Sequence, residues 1–182
     1  MPPKAQKEPA VRRITPSVRS VLYALAFGWL FLLTGSELGL VSQQLHRGGN
    51  NYANYGSKQY KHALGLLLFS CLSSLLVILS HPWLSVPFVS VCSFVLAVFF
   101  GTGAGIVWQD TGHFFKGTGC RPPDQIPPNW RRFADQCRII VSIQAMAWAL
   151  WGLYILLFVG TLIHKLKITT RPTPEGFYHN KV

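Results

Sequence analysis

Four apolar stretches alternate with polar ones along the chain. Residues 86–108 read VPFVSVCSFVLAVFFGTGAGIVW and residues 139–163 read IIVSIQAMAWALWGLYILLFVGTLI, and neither run contains a charge. Two earlier runs, 21–40 and 62–79, hold one acid between them, Glu37. A helix rises ~1.5 Å per residue, so about 20 apolar residues cross a ~30 Å hydrocarbon layer. The pattern predicts an all-α fold: an integral membrane four-helix bundle with spans at about 21–40, 62–79, 86–108 and 139–163.

The polar segments read as connections. Gly48, Gly49, Asn50 and Asn51 break the 42–61 segment. Its Tyr52, Tyr55 and Tyr60 suit the headgroup zone. Residues 80–85, SHPWLS, form a tight turn in which Pro82 ends the preceding helix. The longest connection, 109–138, carries Pro122-Pro123, Pro127-Pro128, Cys120 and Cys137. A basic N-terminal tail, 1–17, has too little apolar surface to fold and is expected to be disordered. A basic C-terminal tail, 166–182, follows the 18–165 domain.

Composition sharpens this picture. Of 182 residues only 13% are charged, against about 25% in soluble domains. The net charge of +11 lies in tails and connections beside the apolar runs, as at membrane flanks, and does not build a nucleic-acid face. Four spans put both tails on one side. Nine basic residues fall on that side and eight on the other, so charge does not decide orientation. The cysteines do. Cys120 and Cys137 are the only ones in a polar segment, and a disulfide between them persists in an oxidising compartment. Their loop is therefore expected outside, and the N- and C-termini in the cytosol. Cys71 and Cys92 lie within spans as small apolar residues.

Small residues mark helix-packing faces. Gly35 and Gly39 form a G-x-x-x-G pair, and Ala97, Gly101 and Gly105 recur at every fourth position. Such smooth faces let a neighbouring backbone approach, within one copy or between copies. Glu37 is expected one turn below the outer end of the first span, with Arg138 and Gln144 opposite it at the start of the fourth. A guanidinium and an amide there would offset the cost of a carboxylate near hydrocarbon.

Catalytic signatures are absent. The chain has no C-x-x-C, G-x-S-x-G, H-E-x-x-H, Walker motif or carboxylate pair. None of its six histidines lies mid-span, so neither haem nor metal is expected. The protein reads as a non-enzyme without cofactors.

Four spans, a short turn between the second and third, and paired cysteines in the loop before the fourth resemble the MARVEL-domain family, in its fungal form. The residues that carry the resemblance are 97–108, Cys120 and Cys137, with the fourth span following through Arg138. The resemblance implies non-catalytic work in sterol-rich plasma membrane or secretory vesicles: microdomain organisation, vesicle trafficking or membrane apposition. The partners it implies are lipids, other membrane proteins and further copies of the chain. A small channel or transporter is the alternative. Claudin-like proteins differ, because 42–61 has neither tryptophan nor cysteine.

Overall fold

The computed structural model describes residues 18–112, 115–116 and 119–168. The 1–17 tail and residues 169–182 lie outside the described residues. Four long helices, α1 (Val18–Gly48), α2 (Lys58–Ser80), α3 (Val86–Thr111) and α5 (Cys137–Ile168), are joined by short connections and by a loop containing a one-turn helix, α4 (Pro128–Arg131). All four long helices are long and apolar enough to cross a membrane. They pack as a ring in which α1 touches α2 and α5, and α3 touches α2 and, most extensively, α5.

Each helix begins and ends for a local reason. α1 continues past residue 40, because Ser42, Gln43, Gln44 and Leu45 are polar or apolar but all helix-compatible. It stops at Gly49, whose φ of +60° is the left-handed conformation open to glycine, and the Gly49 N–H donates back to Leu45 O at 2.9 Å. α2 starts at Lys58, not residue 62, because Ser57 Oγ caps it, accepting from Tyr60 N–H at 2.9 Å. The same hydroxyl donates to Asp110, tying the start of α2 to the end of α3. Pro87 sits in the first turn of α3, where its missing N–H costs nothing.

The membrane-facing surface is apolar. Leu32, Leu76, Val91 and Leu156 are 61–70% exposed, which water would penalise and lipid does not. The core is closed by Leu64, Leu67, Phe100, Ala104, Ile143 and Leu150, each fully buried.

One end of the bundle is covered by a folded cap. Residues Phe115–Lys116 and Gly119–Cys120 pair as a minimal antiparallel hairpin, β1 and β2. The Cys120–Cys137 disulfide, with Cα atoms 6.0 Å apart, fastens it to the first residue of α5. Trp130 of α4 is 3% exposed and meets Tyr60, Phe115 and Phe133 edge-on at centroid distances of 5.3–5.9 Å. Gly56 lies beneath the indole, where a Cβ would come within 2.4 Å of the ring, and Asn129 Nδ2 donates to Gly56 O at 3.1 Å. Lys61 lies 4.1 Å above the Tyr52 ring and donates to Asn50 O.

Candidate functional site

Beneath the cap, α1 turns a polar stripe inward. Thr34, Glu37, Val41 and Gln44 follow one another at intervals of three and four, which is one helix face, and none is more than 4% exposed. At the deep end Thr34 and Ser74 share a hydroxyl hydrogen bond of 3.0 Å, and Ser74 bonds in turn to the Tyr154 hydroxyl. This chain joins α1, α2 and α5. Other intramembrane hydroxyls satisfy themselves on their own helix: Ser70, Ser93 and Thr111 each donate to the carbonyl four residues back.

At the cap end Gln44 Nε2 donates to Gln136 Oε1 at 2.8 Å, while Gln44 Oε1 has no hydrogen-bond partner. The Tyr60 hydroxyl, also buried, lies against the Gln44 side chain. Between these ends sits Glu37, wholly buried, with neither carboxylate oxygen hydrogen-bonded. Tyr60 and Cys71 of α2 are within its electrostatic reach. An ionised carboxylate without a partner costs several kcal/mol in such surroundings. The site therefore calls for a neutralising charge.

An open cleft of about 220 Å3 lies on the cap side of Gln44, with Gln136, Arg47 and Arg132 also on its walls. Tyr55 lines it too; its hydroxyl donates to Gly49 O at 2.9 Å, and desolvation holds its pKa above the ordinary phenol value.

The expected hydrogen bonds of Glu37 to Arg138 and Gln144 do not form. Because α1 extends to Gly48, Glu37 lies 11 residues from the helix end, about 16 Å in depth rather than one turn. The Gln44–Gln136 bond sets the register of α1 against α5. Arg138, two residues into α5 from Gln136, stands nearer the cap than Glu37 and is exposed. Gln144 is buried at 7% exposure but gives Glu37 no hydrogen bond.

The small-residue faces divide. Ala97 is buried, and Gly101 packs on α5, where an added Cβ would fall 2.7 Å from Trp151 Cδ1. Gly105 has nothing within 4 Å, whereas Gly103 would meet Leu67 Cδ2 at 2.6 Å. Gly35 and Gly39 are exposed, and among the described residues nothing lies within 4 Å of a Cβ added at either. Sequence reasoning missed Thr34, Gln44, Tyr60, Tyr154 and Trp130 as site or cap residues. The inward polar spacing of Thr34, Glu37 and Gln44 was the available signal. Among the described residues, no three His, Cys, Asp or Glu side chains converge as a metal site.

No family model, curated protein or solved structure matches the chain.

Proposed function

We propose that the chain is a non-catalytic four-span membrane protein that works through lateral helix contacts, organising membrane microdomains or serving vesicle trafficking or membrane apposition. The MARVEL resemblance supports this through architecture alone. In this reading the tails are cytosolic and the disulfide-bearing loop faces an oxidising, exoplasmic space at the plasma membrane or in secretory vesicles. Its partners are lipids, sterol-rich ones among them, other membrane proteins and a second copy of the chain.

The observation that carries the reading is the outer face of α1. Gly28, Gly35 and Gly39 are exposed and have open space where a Cβ would stand. Gly101 and Gly103 of α3, by contrast, are closed by neighbours within the bundle. The α1 glycines leave a smooth strip for a helix from outside. The test is in-membrane cross-linking of full-length protein through a cysteine replacing exposed Ser36, with Phe69→Cys as the off-face control. Cross-linking at Ser36 that is lost in Gly35→Leu/Gly39→Leu, at unchanged unfolding midpoint, is expected. Cross-linking equal at both sites, or indifferent to the leucines, would overturn lateral contact through this face. A second reading, ion or proton handling, is favoured by Glu37.

A further inference from the structure

We infer that the bundle core contains a site for one positive charge, a proton or an alkali cation, with Glu37 as its anion and Gln44 and Tyr60 as flanking oxygens. The inference is independent of lateral association through α1. Three oxygens without hydrogen-bond partners carry it, both of Glu37 and Oε1 of Gln44, and the buried Tyr60 hydroxyl lies against the Gln44 side chain. All belong to residues no more than 4% exposed. Carboxylate, amide carbonyl and phenol are hard oxygen donors, suited to a proton or an alkali ion and not to a soft metal. Charge balance limits the guest to a single charge. Among the described residues Glu37 is the only buried acid. From α2 it faces Tyr60 and Cys71. Among the described side chains, the buried polar residues of α5 are Gln144, Tyr154 and Thr161, and the buried face of α3 carries no ionisable acid or base.

Gln44 belongs both to the buried stripe and to the wall of the cleft at the cap end. Arg47 and Arg132 line the same cleft and are exposed, which disfavours multivalent cations at its mouth more than a proton or a monovalent ion.

The experiment uses full-length protein in lipid nanodiscs. Infrared difference spectra are recorded against Glu37→Gln, in potassium, sodium and choline buffers, together with unfolding midpoints. A protonated-carboxyl C=O band at neutral pH, lost in Glu37→Gln and present in every buffer, identifies the proton. No such band in sodium or potassium, with an unfolding midpoint raised over choline in wild type and not in Glu37→Gln, identifies an alkali ion. A carboxylate signature from Glu37 with no cation dependence overturns the site. Should Glu37→Gln fail to insert, Tyr60→Phe carries the test. Removing the hydroxyl should shift the acid band or weaken the cation response, and wild-type behaviour in both refutes the inference.

Discussion

Two glycines two residues apart in α3 should respond oppositely to the same substitution. At Gly103 an added Cβ would stand 2.6 Å from Leu67 Cδ2 and 2.8 Å from its Cγ. Carbon atoms settle at about 3.5–4.0 Å, so the intrusion is roughly 1 Å. Leu67 is fully buried and cannot swing into lipid. Overpacking of this kind costs about 1–3 kcal/mol. At Gly105 the Cβ meets nothing within 4 Å. Replacing glycine by alanine in a helix interior gains up to about 1 kcal/mol by reducing backbone freedom in the unfolded chain. That gain is common to both sites and cancels in the comparison. Gly103→Ala should therefore be less stable than Gly105→Ala by about 1–3 kcal/mol. Equilibrium unfolding in bicelles measures the difference. Leu67→Ala should relieve part of the Gly103→Ala cost in a double-mutant cycle, since the two changes share one contact. Equal stability of the two alanine variants would show that α2 and α3 do not approach at Gly103, and the reasoning would fail.

The other expectations concern the cap and the hydroxyl chain. Removing the disulfide by Cys120→Ser/Cys137→Ser should cost about 3 kcal/mol by loss of chain-entropy restraint over its loop, and reductant should bring wild type to the same midpoint. Trp130→Ala, which empties the centre of the cap, should cost about 3–5 kcal/mol, read as lowered unfolding midpoint and earlier proteolysis of the 112–136 connection. Ser74→Ala breaks both links between Thr34 and Tyr154 and should destabilise more than Tyr154→Phe, which breaks one; about 0.6 kcal/mol per interhelical bond is the scale, and the reverse order in unfolding would contradict the chain.

The apolar pattern was a good guide to the existence of four long helices because membrane spans are specified by length and hydropathy, both visible residue by residue. It was a poor guide to their ends. Hydropathy falls at Ser42, but the helix ends only where the backbone turns left-handed at Gly49, and Ser57 restarts it ahead of the apolar residues of α2. The disulfide was legible because only Cys120 and Cys137 lie in a polar segment. The depth of Glu37 was not, since it was measured from the wrong helix end, and so Arg138 was placed level with it. The glycines were ambiguous for another reason: spacing says that a face is smooth and does not say what stands opposite. Gly101, Gly103 and Gly105 share one short sequence yet face Trp151, Leu67 and open space.

The two features of α1 lie back to back. At about 100° per residue, Gly28, Gly35 and Gly39 are each roughly 180–200° around the helix from Glu37. The glycine face looks outward while the carboxylate looks into the ring. Lateral association can therefore act on the buried site only by moving α1 as a whole against α2 and α5, because no side chain touches both faces. That movement would strain the links along the inner stripe, Thr34 to Ser74 near one end and Gln44 to Gln136 near the other. Glu37 lies between these two fastenings with no hydrogen bond of its own. A charge acquired or lost there changes the contact of α1 with α2 at the one polar position of the stripe that the fold leaves unfastened.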